Sequence, residues 1–479
     1  MLVTRDVINP NIKFIDIWGR NTLGFTYEQL CNGIDIIKDI LKNEYKCKLG
    51  DSVLIGISPS TLQVATFFAC AELGLEVLIL DHNRNDNWIS TDYIDPKTQS
   101  LMPITFFILD SKYKDTNTQK QNFFIKICEH FVVLDFDTLY KQYTKSDVGI
   151  DATHNSVLIK CTSSGTTGTA KIVKHTHAFL YHLIQRNTKF YDGTVCMITN
   201  LNHGSSPATY FLPALCSKNT TKFVSSATLN AENKNPNPLR RQINFTYLSI
   251  LKTIKTFDVR HLMIPYAHLV DQFIRLGDYP NLNIYTLSTI KQTWLEFYQN
   301  KKINNIISFF GCNETSGPLL INEISDIDFA ESGYKLMDDF YKLNLNGGTN
   351  LEVEMPIYNI KISTNDKFEL VGDKYLHKGR NDLYRVNGRL VDLPGYNKEI
   401  NDALDGMIIV DTAKDKLYVA VWNTTPGYEE KLNIISSKFE SLSEGAHKID
   451  KYAVLEKDRF YSGVKLDMEL LRDYFRKFV

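Results

Sequence analysis

Between residues 26 and 80 the apolar positions switch from helical spacing to continuous runs and back. Leu30, Ile34, Ile37 and Leu41 recur on one helical face, and Thr26 with Gln29 supplies a capping box at its start. After Gly50 and Asp51 the run VLIGI reads as a buried strand. Ser60 then opens STLQVATFFACAELGL as a second helix, and EVLIL closes the unit as another strand. Strand, helix and strand in that order predict a parallel sheet. ITFFILD (104–110), FVVLDF (131–136), SVLIKC (156–161), HLMIP (261–265) and NIISFF (305–310) predict further strands. HAFLYHLIQRNTKFY, after Thr176, carries Phe179, Leu180, Leu183 and Ile184 at helical spacing. The pattern predicts an α/β body.

The last hundred residues change character. GMIIVD, KLYVAVW and YAVLE read as short strands, separated by a helix around EEKLNIISSKFESL and followed by MELLRDYFRKF, which suggests a small α+β module. A boundary near residue 382 gives an N-terminal domain of residues 1–381, with mixed or parallel sheets and helices, and a C-terminal domain of residues 382–479.

Composition narrows the class. The chain has 479 residues, 43% of them hydrophobic, and a formal net charge of −1, which fits a soluble protein with more than one core. Basic and acidic residues are interspersed, so nothing points to nucleic acid; KNEYKCK (42–48) reads as a solvated helix end. The eight cysteines form no C-x-x-C pair, which suggests neither a zinc knuckle nor a disulfide framework and places the chain in a reducing cytoplasm. The first residues lack an apolar core of signal-peptide length, and no apolar run is long enough to span a bilayer. NAENKNPNP (230–238) reads as an exposed loop.

The stretch CTSSGTTGTAKIVKHTH (161–177) has little side-chain bulk, many hydroxyls and one early positive charge at Lys171. Glycine lets the backbone turn so that several amide N–H groups point into one concavity, which suits a phosphate. The nucleotide loop G-x-x-x-x-G-K-[ST] does not fit, because Gly165 and Gly168 are too close together and Lys171 does not follow a glycine. The segment is therefore another polyphosphate loop or a Ser/Thr-rich linker. A strand before it and a helix after it favour a ligand loop of an α/β enzyme.

SSGTTGTAK (163–171) resembles the phosphate loop TSGTTGxPK of the adenylate-forming superfamily, with Ala170 where the family has proline. That superfamily comprises acyl- and aryl-CoA synthetases, peptide-synthetase adenylation domains and firefly-type luciferases. The resemblance implies that Ser163, Ser164, Thr166, Thr167 and Lys171 donate to the β- and γ-phosphates of ATP, while Gly165 and Gly168 shape the turn. FFGCNETSG (309–317) is similar to the family's aromatic-Gly-x-Thr-Glu motif. Phe310 would lie against adenine, Gly311 would follow it, Asn313 would stand in for threonine at the α-phosphate, and Glu314 would hold Mg²⁺. The Asn313 amide retains a hydrogen-bond donor. Thr364-Asn365-Asp366 followed by Gly379-Arg380 resembles the family's ribose-binding pair; Asp366 is preferred as the carboxylate, with Asp373 as the competing assignment.

The series continues to the end of the chain. Asp382 occupies the family's hinge position, and VNGRLVDL (386–393), through Gly388, resembles the segment that turns to the nucleotide site for thioester formation. VKLDMELLRDYF (464–475) places Lys465 on the catalytic lysine, with Val464 replacing glycine unless Gly463 is the equivalent residue. His203 resembles the residue at the mouth of the carboxylate pocket, against the alternative of a partly buried histidine bonded to backbone. The aspartate that amino-acid-activating relatives carry nearby is missing, which leans towards an acyl or aryl acid. The family's Gly-Gly-Ala stretch is also missing; TLSTI (286–290) sits near its place.

As a whole the resemblance implies a large N-terminal domain with a small mobile C-terminal one. The implied enzyme is a ligase that turns a carboxylic acid and ATP into an acyl-adenylate and pyrophosphate, with Mg²⁺. Transfer to coenzyme A or to a phosphopantetheinyl carrier protein would follow. Two other readings remain: amino-acid adenylation for a carrier protein, and a non-catalytic nucleotide-binding scaffold, given Ala170, Asn313 and Val464.

Overall fold

The computed structural model describes residues 1–18, 21–57, 59–79, 104–111, 125, 127–141, 148–163, 171–197, 207–226, 250–264, 270, 273–287, 290, 292–326, 333–348, 350–380, 383–386, 389–392, 396–397, 400, 404–411, 416–422, 427–442, 447–462, 465–466 and 468–478. Packing divides the chain into two units: Met1–Lys234 with Arg241–Met337, and Asn235–Arg240 with Asp338–Val479. The strands between residues 342 and 380 belong to the second of these units.

In the first unit the capping box forms as the sequence predicts. Thr26 accepts from Gln29 N, the Gln29 side chain accepts from Thr26 N, and the helix Tyr27–Asp39 follows. Leu30, Ile34, Ile37 and Leu41 are fully buried, each worth about 1.5–3 kcal/mol relative to exposure. The helix Thr61–Glu72 is buried on every side, and Ser60 caps it by accepting from Gln63 N. Its first turn also donates to Asp16: Thr61 N and Oγ1 both lie 2.9 Å from the carboxylate. An acid at a helix N-terminus is favoured there by the free amides and the helix dipole.

Two sheets share this unit. One has six strands in the order Cys128–Leu134, Ile104–Asp110, Ser52–Gly56, Glu76–Ile79, Val157–Ser163 and Lys171–Thr176, parallel except for the last pair. The run FVVLDF is shifted: its strand begins at Cys128, and Phe136 sits in a following 3-10 turn capped by Asp135. The other sheet has nine strands. Its centre is Ile303–Phe310, Tyr279–Thr286, Val259–Met263, Gly193–Met197 and Thr220–Ser226 in parallel register, and Lys13–Trp18 and Asn21–Phe25 form one flank. Asp16 lies in that flank, so its bonds to Thr61 fasten the helix of one sheet to a strand of the other.

The second unit begins with a four-stranded antiparallel sheet, Lys342–Asn346, Asn350–Met355, Ile360–Val371 and Lys374–Arg380. It ends in a three-stranded sheet, Gly406–Asp411, Lys416–Val421 and Ile449–Val454, with helices Tyr428–Leu442 and Met468–Phe478. The period-2 alternation is clean. Ile408, Val410, Val419 and Val421 pack with Leu432, Ile435 and Phe439, while Ile409, Tyr418 and Ala420 pack with Leu471 and Phe475. Among the described residues no helix is long and apolar enough to cross a membrane. All eight cysteines are free.

Candidate active site

The hydroxyl-rich stretch is not simply a loop between strand and helix. Residues Lys171–Thr176 form a strand antiparallel to Val157–Ser163, with Ser163 opposite Lys171 and Thr162 opposite Ile172, and the helix His177–Asn187 starts only after it. Its alternation of Ile172, Lys174 and Thr176 with Val173 and His175 fits an edge strand. Ser164, Gly165, Thr166, Thr167, Gly168 and Ala170 lie outside the described residues, and Ser163 and Lys171 are described by their backbone. The ladder nevertheless fixes both ends of the segment side by side.

The second motif is a tight turn built on backbone contacts. Ile303–Phe310 ends at Gly311, where an added Cβ would meet the Gly317 carbonyl oxygen at 2.4 Å, so only glycine fits. Asn313–Thr315 make one 3-10 turn, Ser316 takes a left-handed conformation, and Leu319 N donates to Phe310 O at 2.8 Å as the chain returns. The Thr315 hydroxyl, fully buried, accepts from Cys312 N and lies 2.9 Å and 3.1 Å from the Cys312 and Gly317 carbonyl oxygens. Arg186 donates to Pro318 O. Phe310 and Glu314 are half-buried, and Phe310 meets Tyr334 edge-on at 6.1 Å.

These two motifs meet. His175 Nε2 lies 2.7 Å from the Asn313 carbonyl oxygen, a bond across 138 residues. Burial first, and the Glu314 charge after it, push the Cys161 and Cys312 thiols up to about 12. Among the described residues no group of three His, Cys, Asp or Glu gathers as a metal cage. Glu314 brings one carboxylate to this turn, and an ion such as Mg²⁺ takes one or two protein carboxylates along with phosphates and water.

Neither His175 nor His177 had a role assigned from sequence. Both are buried; burial lowers each to about 4, and His177 accepts from Val3 N at 3.2 Å through Nδ1. With the folded values below the ordinary 6.5, the unfolded chain takes up protons first on acidification. The stabilisation is complete above about pH 6.5 and is lost as the pH falls towards 4, about 3 kcal/mol for each histidine. Urea unfolding should therefore show a falling midpoint between pH 7 and pH 4.5, and His177→Gln should flatten that slope. An unchanged slope in the variant would assign the pH dependence to other groups.

In the second unit, Asp366 is buried and stands opposite Arg380 in the ladder of Ile360–Val371 with Lys374–Arg380. Asp366 N donates to Thr364 Oγ1, which itself donates to Leu351 O at 2.8 Å, and His377 Nε2 lies 3.1 Å from Asp366 Oδ1. Asp373, the competing assignment, is exposed in the turn between the same two strands, next to Gly372 at φ 62°. Lys465 opens the short strand Lys465–Leu466, with its backbone opposite Ser462, ahead of the last helix. His203, Asp382, Gly388 and Val464 lie outside the described residues.

A family model described as "AMP-binding enzyme" matches residues 14–336. No curated protein matches the sequence. Among solved structures, O-succinylbenzoate coenzyme A synthetase from Bacillus subtilis, in complex with AMP, is similar at 14% identity and a TM-score of 0.70, covering 98% of this chain and 96% of that one. A benzoate CoA ligase from Burkholderia xenovorans is similar at 12% identity and a TM-score of 0.70, covering 98% of each chain. McyG A-PCP, complexed with phenylalanyl-adenylate, is similar at 14% identity and a TM-score of 0.69, covering 100% of this chain and 96% of that one. At such identities the likeness establishes a shared fold of mixed parallel and antiparallel sheets with helices. The family match spans more than half the sequence and includes both the hydroxyl-rich hairpin and the Gly311–Glu314 turn, and the chain therefore belongs to the AMP-binding enzyme family.

Proposed function

We propose that this protein is an adenylate-forming ligase that activates an acyl or aryl carboxylic acid with ATP. A carboxylate oxygen attacks the α-phosphorus, the bond from that phosphorus to the bridging oxygen of the β-phosphate breaks, and pyrophosphate leaves with the electron pair. The observation that carries this reading is the bond from His175 to Asn313, which holds the hydroxyl-rich hairpin against the turn bearing Glu314 in a chain of this family.

In this reading the loop amides of Gly165 and Gly168, the hydroxyls of Ser163, Ser164, Thr166 and Thr167, and Lys171 bind the β- and γ-phosphates. Phe310 lies along adenine with Gly311 behind it, Asn313 donates to the α-phosphate, and Asp366 with Arg380 takes the ribose. Glu314 would hold Mg²⁺, which would neutralise phosphate charge. His203 is the proposed contact for the acid, and Lys465 the proposed cation that offsets the repulsion between carboxylate and phosphate. Asp382 is the proposed hinge of a C-terminal domain of residues 382–479, whose Gly388 segment would serve the step in which a thiol takes the acyl group. The similarity to a coenzyme A synthetase, a CoA ligase and McyG A-PCP supports coenzyme A or a carrier protein as the source of that thiol.

McyG A-PCP supports a second reading, amino-acid adenylation for a carrier protein. Pyrophosphate–ATP exchange separates the two. Exchange driven by fatty or aromatic acids supports the first; exchange driven by amino acids alone supports the second. ATP binding without exchange across a broad panel would leave a nucleotide-binding scaffold.

A further inference from the structure

The Asn313 carbonyl belongs to the peptide group that leads directly into Glu314, and a peptide group is planar. Fixing that oxygen therefore fixes the plane from which the Glu314 amide and Cα depart. It accepts from Ser316 N at 3.2 Å, within the turn, and from His175 Nε2 at 2.7 Å, on the strand that leaves the hydroxyl-rich segment. A carbonyl oxygen has two lone pairs, so both bonds form together. The His175 ring is itself held. It is 3% exposed and stacks on Phe179 of the following helix, with centroids 5.4 Å apart and planes at 22°.

We infer that His175 is a positioning residue for magnesium–nucleotide binding, tying the exit of the hydroxyl-rich loop to the peptide plane that aims Glu314. The inference rests on the proposed function, since it takes the loop as the phosphate site and Glu314 as the cation carboxylate. Because a carbonyl only accepts, the imidazole carries its proton on Nε2. Burial keeps the ring neutral, so the tie adds no positive charge beside a site meant for a cation. Outer partners that orient a metal's ligands change metal affinity by about 10–100-fold when removed.

The test is calorimetric titration of full-length protein with ATP, in excess magnesium and in EDTA. His175→Leu is expected to weaken magnesium–ATP binding by about tenfold and to leave metal-free ATP binding within about twofold. His175→Gln, which keeps an N–H donor at comparable reach, is expected to restore most of the magnesium preference. If the leucine variant fails to fold, His175→Phe takes its place, since it keeps the stack on Phe179 and lacks the donor. Unchanged magnesium preference in the donorless variant, or no recovery with glutamine, overturns the inference. A wild type that binds magnesium–ATP but exchanges with no acid overturns the ligase reading, and the same titrations still decide the role of His175. A wild type that binds no magnesium–ATP overturns both.

Discussion

Lys465→Ala is expected to lower acid-dependent pyrophosphate–ATP exchange by about 10²–10³-fold, with the unfolding midpoint and the affinity for magnesium–ATP close to those of the wild type. The effect is electrostatic. A carboxylate attacking an α-phosphate brings two anions together, and negative charge accumulates on the phosphoryl oxygens as the bond to pyrophosphate loosens. A cation between them offsets the repulsion and gains most where charge is greatest, in the transition state; removing one such donor costs about 3–4 kcal/mol in comparable sites. Ground-state nucleotide binding, by contrast, is proposed for the hydroxyl loop and the Asp366–Arg380 pair. The pairing of Lys465 with Ser462 runs through backbone atoms, which alanine retains. Exchange rates measured at saturating acid and ATP decide it. A variant that keeps wild-type exchange would remove Lys465 from the mechanism, and the Val464 departure from the family pattern would then mark a real divergence.

Glu72→Ala is expected to cost about 3–5 kcal/mol of stability at pH 7. Glu72 closes the buried helix Thr61–Glu72 and is 1% exposed, a burial that a carboxylate tolerates only when its lone pairs are taken up. Arg5 binds it as a fork, Nε at 2.8 Å to one oxygen and Nη2 at 2.7 Å to the other, and Lys38, 3% exposed, reaches it at 2.9 Å. Arg5 also meets Asp35 at 2.7 Å, so the N-terminal segment is pinned to both early helices. Burial alone would push the Glu72 carboxyl up, but the bonds and charges of Arg5 and Lys38 outweigh it and hold the carboxyl below its ordinary value. Its stabilisation is present above the ordinary carboxylate range and lost as the pH falls below that range, outside the histidine window. Alanine leaves the buried Lys38 ammonium without this partner. Urea unfolding at pH 7 measures the loss; a change under about 1 kcal/mol would mean that the cluster behaves like a solvated surface pair.

Much of the fold was legible because its signals are local. The Thr26–Gln29 box, the Ser60 cap and the apolar runs of the first sheet each depend on residues within a turn or strand of one another. The flanking strand Lys13–Trp18 was not, because Asp16 interrupts an apolar alternation; only the structure reveals that this acid is buried and paired with Thr61. Glu72, Arg5 and Lys38 escaped notice for the same reason, since charged residues read as solvated until a distant partner is known. In the site, both motifs were recognisable by their resemblance to the family's sequence patterns, but the strand Lys171–Thr176 and the bond from His175 to Asn313 were not. A histidine among threonines and lysines reads as loop, and its partner lies 138 residues away.

Whether this chain forms acyl-adenylates is decided by pyrophosphate–ATP exchange with the wild-type protein, run with magnesium over a panel of fatty, aromatic and amino acids. Exchange that depends on an acyl or aryl acid and vanishes without magnesium is expected; tight ATP binding with no exchange for any acid would overturn the adenylate-forming reading.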